Sequence, residues 1–303
     1  MARVKGYYIN LEGSRNRRER IQRHIDEEGL SDSYQRYEAI DGTKCDPRGR
    51  NLTSGELGLW ETWISLLEKE TLSNDYEFLH VMEDDCVISK EFKDFCTQLP
   101  DSPLGSDLIM TEMYVNPSAY RCLVGEHERL KREKKIKIVS SNYTGCISSA
   151  LIHKSRINTI LQQLRLEYQN IEGVLPLDNQ LRKLDQQGRL KVSRVAPFIT
   201  SIVIEDIKKT TIQDHVDNEI ADSQVFCALL RRKLSTLDDK ETTKALAEVF
   251  LQVVASTKKI KRQNIENELV KSIVNIAYQE KVLRYRWHSR LREEKDNKQY
   301  LED

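Results

Sequence analysis

Residues 78–85, Phe78-Leu79-His80-Val81-Met82-Glu83-Asp84-Asp85, run from a short, mostly apolar stretch straight into three consecutive carboxylates. So short a run, with no helical period of its own, predicts a buried strand of a parallel sheet. In open α/β sheets, ligands bind just beyond the carboxyl ends of such strands. Adjacent carboxylates at that edge repel one another unless a cation neutralises them, and hard oxygen ligands at this density suit Mg²⁺ or Mn²⁺ shared with a phosphate. An acidic turn closing the strand is the plainer account. The remainder of the chain decides between them.

With 303 residues, 39% of them hydrophobic, the chain can build one large domain, or a domain with an extension. Lys+Arg and Asp+Glu both number 48, so no global field draws it to nucleic acid. The N-terminal residues carry no apolar stretch that reads as a signal peptide, and no later segment could span a bilayer. The six cysteines are scattered without a Cys-x-x-Cys pair, which predicts reduced thiols in the core. A cytoplasmic protein is the expectation.

Residues 4–11 predict a first strand. Arg15, Arg17, Arg18 and Arg20 then crowd into the first turns of a helix that buries Ile21 and Ile25 and stops at Gly29. Basic residues at a strand–turn–helix junction form a phosphate-binding geometry, or else a solvated basic face. A second strand, 34–40, ends in Asp41-Gly42, where the acid can meet a ribose hydroxyl or simply make a turn. Thr53 and Glu56 have capping-box spacing, and Leu57, Trp60, Ile64 and Leu67 follow at helical spacing, with Trp60 and Trp63 in the core.

Further on, the signals give a helix over 90–98, strands over 107–113 and 145–152, and helices through Ile157–Leu164 and from Asp178 to Leu184, then a strand over 190–195. Residues 114–142 show no regular pattern and carry the basic run Lys131, Arg132, Lys134, Lys135 and Lys137, which reads as a solvated loop. From 219 onward there is no Gly or Pro, and three helices fit: 219–234, 240–256 and 263–300. On the last, Tyr285, Arg286, Trp287, Arg290 and Arg292 form a basic aromatic patch. It suits either packing on the main domain or peripheral contact with the inner membrane. Alternating strands and helices predict an α/β fold.

Four segments, in order, resemble glycosyltransferase family 25. Tyr8-Ile9-Asn10-Leu11 with Arg17 and Arg18 resembles its Val-Ile-Asn-Leu…Arg opening, and Ala39-Ile40-Asp41-Gly42 its Ala-x-Asp-Gly element. Leu52-Thr53-Ser54-Gly55-Glu56-Leu57-Gly58 is similar to its Leu-Thr-x-Gly-Glu-x-Gly helix start, and Val81 to Val87 to its acidic core. Weaker similarity continues through Pro176-Leu177-Asp178 to residue 212. The family comprises lipooligosaccharide and collagen galactosyltransferases. The resemblance implies a GT-A-like, Rossmann-type nucleotide-sugar-binding sheet with helices on both faces over residues 1–217. The all-helical stretch 218–303 would be an extension.

By that resemblance, Glu83 and Asp85 with His215 would hold Mn²⁺ or Mg²⁺. Asp84 would face the donor sugar, and Asn10, Arg17, Arg18, Asp41, Gly42 and Glu56 would bind the UDP-sugar. The family is inverting, and Asp178 is the candidate base. The expected reaction moves a hexose, galactose from UDP-galactose, to a glycan acceptor such as lipopolysaccharide core. Two departures stand out: Thr62-Trp63 replaces the family's Ser-His, and Gly13 replaces an Arg. They keep open a silent relative acting as a glycan- or nucleotide-sugar-binding module. A phosphohydrolase built on the three carboxylates is a third possibility.

Overall fold

The computed structural model describes residues 3–100, 105–209, 218–246 and 248. The strands are β1 (Val4–Asn10), β2 (Tyr34–Glu38), β3 (Phe78–Glu83), β4 (Cys86–Ile88), β5 (Leu108–Met110), β6 (Lys137–Ser140), β7 (Ser149–His153), β8 (Val192–Ala196) and β9 (Thr200–Ile202). The helices are α1 (Arg15–Glu27), α2 (Ser54–Thr71), α3 (Glu91–Thr97), α4 (Pro117–Glu133), α5 (Ile157–Gln169), α6 (Leu177–Gln186) and α7 (Asn218–Lys233). A seven-stranded sheet runs β2-β1-β3-β7-β5-β8-β6, and β4 pairs with β9 in a small second sheet. Strands β1, β2, β3, β5 and β8 point one way, β6 and β7 the other. The α/β expectation holds.

Alternation along the strands sorts their side chains onto two faces. Tyr7, Ile9, Leu79 and Val81 pack with α2, α5, α6 and α7, whereas Tyr8, Phe78 and Met82 pack with α1 and α3. Both faces of β3 are thus covered, which is why its sequence is a continuous apolar run. His80 is the polar exception. Its Nδ1 lies 2.6 Å from the Tyr34 hydroxyl and its Nε2 2.7 Å from Ser149 Oγ, so both ring nitrogens are satisfied. Burial lowers its pKa to about 3, so the ring stays neutral and pins β3 to its surroundings.

The structure departs from the sequence expectation over residues 114–142: expected to be irregular, they contain the seventeen-residue helix α4. Asn116 caps it by accepting from Ala119 N at 2.8 Å, and Pro117 occupies the first turn. Tyr120, His127 and Leu130 are its buried residues, at helical spacing. The basic run therefore closes a helix. Lys131 is anchored to the Lys233 carbonyl at 2.8 Å and to Asp238 at 3.1 Å.

The expected boundary at 217/218 falls at the start of α7. That helix buries Phe226, Leu229 and Leu230 in the core shared with α2 and α5, and Leu246 joins them. The core thus continues past the expected end of the first domain. The helix expected over 263–300, with its basic aromatic patch, lies outside the described residues. No helix among the described residues is long and apolar enough to cross a membrane. All six cysteines are free thiols; Cys86, Cys96 and Cys227 lie in the core as expected, whereas Cys45 and Cys146 are half-buried and Cys122 is exposed.

Candidate functional site

A cleft of about 670 Å³ opens at the carboxyl ends of β1, β2 and β3. Its position follows from topology: β1 is flanked by β2 and β3, and the turns leaving all three diverge over the same sheet edge. Glu83, Asp84 and Asp85 form one wall, and Ser14 with Arg17 of the first turn of α1 a second. Asp41, Gly42 and the start of α2 form a third wall. Gly145, Cys146 and Asp178 stand opposite.

The three carboxylates are not equivalent. Asp84 is buried and fully engaged: Asn10 Nδ2 donates to its Oδ2 at 2.7 Å, and Arg17 Nη1 to its Oδ1 at 3.2 Å. Asn10 is itself held, its Oδ1 accepting from Arg36 Nε at 3.1 Å. Both oxygens of Asp84 are therefore used by the protein. These bonds hold Asp84 in place on the cleft wall. Asn10 is buried and acts through Asp84 without reaching the cleft wall.

Glu83 and Asp85 are half-buried and face the cleft. Burial, and then repulsion from Asp85, Asp84 and Asp178, push Glu83 up to about 8. Burial and the Asp84 charge push Asp85 up to about 6, against the opposing pull of Arg17 and Arg231. Asp85 Oδ1 is buried and has no hydrogen-bond partner among the described residues. An orphaned carboxylate oxygen beside a second strained carboxylate is a donor set that fits a hard divalent cation. Among the described residues no three His, Cys, Asp or Glu side chains converge on one point, so a cation on this pair would draw its other ligands from elsewhere. His215, the expected third ligand, lies outside the described residues.

The other expected residues divide. Arg17 lies between the acidic turn and Asp206, whose Oδ2 is 3.5 Å from its Nε. Arg18 instead turns to Glu12 at 3.3 Å and does not line the cleft. Asp41 lines it, but its carboxylate accepts from Thr43 N at 3.1 Å and Thr43 Oγ1 at 2.6 Å, so it fixes its own turn. Glu56 likewise completes the capping box, accepting from Thr53 N at 2.8 Å while Thr53 Oγ1 accepts from Glu56 N. Asp178 sits in the first turn of α6, and a Cβ placed on Gly145 would stand 3.8 Å from its Oδ2.

Gly42 and Gly58 serve by what they lack. A Cβ on Gly42 would lie 1.7 Å from the Ser54 carbonyl oxygen, and one on Gly58 2.5 Å from the Ile40 carbonyl oxygen. The turn after β2 and the first turns of α2 touch backbone to backbone, so both the Asp-Gly and the Gly-Glu-x-Gly segments are explained by one crossing.

Thr62 seals this crossing from below. Its hydroxyl accepts from Ile40 N at 2.8 Å and donates to the Gly58 carbonyl at 2.6 Å. Thr62→Val is isosteric and leaves the Ile40 N–H without its partner. We expect a loss of about 1–3 kcal/mol in urea denaturation. Trp63, at the family's His position, packs in the core and does not line the cleft. Of the Thr62-Trp63 pair, Thr62 lines the cleft and Trp63 lies in the core behind α2.

Two groups carried no expectation, Arg231 on the cleft wall and Glu112 behind it. Glu112 follows β5 and is fully buried, and Arg231 of α7 pairs with it at 2.6 Å. Glu112 was findable, since it follows an apolar strand as Glu83 does. Arg231 was not: it stands in the run Arg231-Arg232-Lys233 with nothing to distinguish it.

No family model matches the chain, and no curated protein matches it. Among solved structures it is similar to galactosyltransferase LgtC in complex with donor and acceptor sugar analogues (8% identity, 73% of this chain and 82% of that chain, TM-score 0.32). An active-site mutant of LgtC gives 10% identity over 73% and 82% of the two chains, with a TM-score of 0.30. Mouse xyloside xylosyltransferase 1 in its apo form gives 11% over 62% and 64%, with a TM-score of 0.25.

Proposed function

We propose that the protein is a metal-dependent glycosyltransferase that moves a hexose from a nucleotide sugar to a glycan acceptor. The observation that carries this is convergence. The four sequence segments resembling family 25 lie far apart in the chain, yet each contributes to the wall or the support of one cleft. The finer reading follows the same resemblance: galactose from UDP-galactose, inversion at the sugar, and an acceptor such as lipopolysaccharide core. It carries with it a cytoplasmic protein, in peripheral contact with the inner membrane through the basic aromatic residues Tyr285, Arg286, Trp287, Arg290 and Arg292.

Each group has a role that its surroundings support. Glu83 and Asp85 would hold Mn²⁺ or Mg²⁺, which when bound supplies neutralisation of the leaving diphosphate. Asp84 keeps Arg17 at the cleft wall, where the guanidinium favours phosphate oxygens. Asp178 would take the proton of the acceptor hydroxyl as a general base. It is half-buried and reached by only one described hydrogen bond, from Asn179 N at 2.8 Å to its Oδ1.

The test is donor hydrolysis. The protein is incubated with a panel of UDP-sugars and Mn²⁺, and UDP release is followed, with Asp85→Ala in parallel. Cation-dependent release that is lost in the variant is expected. Donor binding without turnover would favour a silent binding module, and release of inorganic phosphate from the nucleotide would point to a phosphohydrolase.

A further inference from the structure

Glu112, Arg231, Cys146 and Ser148 form a closed ring of hydrogen bonds at the edge of the cleft. Arg231 Nε and Nη2 donate to Glu112 Oε2 at 3.1 and 2.6 Å. The Ser148 hydroxyl donates to the other oxygen, Oε1, at 2.7 Å, which completes the carboxylate. Arg231 Nη1 donates to Cys146 Sγ at 3.2 Å, and the thiol donates on to Ser148 Oγ at 3.2 Å. Three chain segments meet here: the end of β5, the turn before β7, and α7. None is near another in sequence.

The ring is asymmetric. On one side Glu112, fully buried, is satisfied by protein donors alone. On the other, the outward Nη1 of Arg231 has as its described acceptor only a thiol sulfur, which is a weak one. A guanidinium has more N–H donors than the ring uses, and leaving them without a strong acceptor in so buried a place is unfavourable. Arg231 is 5% exposed, and that small opening is onto the cleft that Asp85 also lines.

We propose, resting on the nucleotide-sugar function above, that Arg231 is a fixed anion-binding group of this site, its outer edge taking a phosphate oxygen of the donor's diphosphate. Glu112 is then a positioning residue: by holding the inner edge it aims the fork and prevents the side chain from folding onto the acidic turn. Cys146, with φ of 68°, follows Gly145 with φ of 126°, so the ring also holds in place the left-handed turn that lies against Asp178. The phosphate side and the proposed base would share one support. Charge-assisted bonds from a preorganised guanidinium are the strong kind for phosphate oxygens.

The measurement is the affinity of UDP and of uridine, each with Mn²⁺ present, by calorimetry or by competition. Because Arg231→Gln alone would strand a buried carboxylate, the variant is Glu112→Gln/Arg231→Gln, which removes both charges together. Arg231→Lys, which keeps the charge beside Glu112, is the second variant. In wild type, UDP should bind more tightly than uridine. In the double variant that preference should fall tenfold or more while uridine affinity is unchanged, and in Arg231→Lys it should fall by a smaller factor. An unchanged preference in either folded variant overturns the proposal. So does an equal loss for UDP and uridine, which would mark a purely structural ring. Failure of wild type to bind UDP would instead overturn the nucleotide-sugar function itself.

Discussion

Gly42→Ala should destabilise the protein by about 3 kcal/mol or more and disorganise the wall of the cleft nearest α2. The added methyl would lie 1.7 Å from the Ser54 carbonyl oxygen and 2.6 Å from Gly58 N, and both are backbone atoms that no rotamer change can withdraw. The chain must therefore part the β2 turn from α2. That movement would break the Thr62 bridge to Ile40 and shift Asp41, because both belong to the same turn. Gly58→Ala attacks the same contact from the other side, 2.5 Å from the Ile40 carbonyl, and should act alike. Against a domain stability of about 5–15 kcal/mol, such losses are large.

The control is Gly125→Ala. That glycine sits on the exposed face of helix α4 with nothing within 4 Å of an added Cβ, so alanine should stabilise by about 0.5–1 kcal/mol through helix propensity. Urea midpoints of the three variants settle the matter. A Gly42→Ala protein as stable as wild type would show that the backbone crossing is not tight.

Those glycines also show how far the sequence could be read. The strand over 78–83, the capping box at Thr53 and Glu56, and the arrest of α1 at Gly29 are local signals, each fixed by residues within a few positions. All were legible for that reason. The carboxylate cluster was legible too, because strand and acids are contiguous. What was not legible is how side chains from distant segments divide those acids. Nothing near Asp84 says that Asn10 and Arg17 will occupy both its oxygens, and nothing near Arg18 says that it will turn away to Glu12.

The missed helix is a different case. Asn116-Pro117 is a start signal, and Tyr120, His127 and Leu130 keep a helical period, but the basic run that follows obscured the apolar face. Arg231 marks the true limit. Its partner is Glu112, more than a hundred positions away, and no local pattern specifies a pairing of that range.

The carboxylate wall makes a second large prediction, on stability against pH. Glu83 is pushed up to about 8 by burial and by its acidic neighbours, and Asp85 up to about 6, from ordinary values of 4.5 and 3.8. A folded-state pKa above the unfolded one means that the native state binds the proton more tightly. The associated stability is complete below the unfolded value and is lost as pH rises through the folded one. Buried His80 and His127, lowered to about 3 and about 4 from 6.5, work in the opposite sense. The unfolded chain takes up their protons first, so they remove stability as pH falls below 6.5. Above that value they are neutral in both states.

The window from pH 6.5 to 8 thus isolates Glu83. Without divalent cation, the free energy of unfolding should fall across it in wild type, and Glu83→Gln should flatten the fall because a neutral amide has no proton to lose. Mn²⁺ should raise the wild-type midpoint more at pH 8 than at pH 6, since a cation on Glu83 and Asp85 needs both ionised. The variant should lose most of that gain. Urea denaturation at fixed pH, with and without Mn²⁺, gives both slopes. A wild-type free energy that is level from pH 6.5 to 8, or a Glu83→Gln slope identical to it, would show that Glu83 is not the strained acid of this wall.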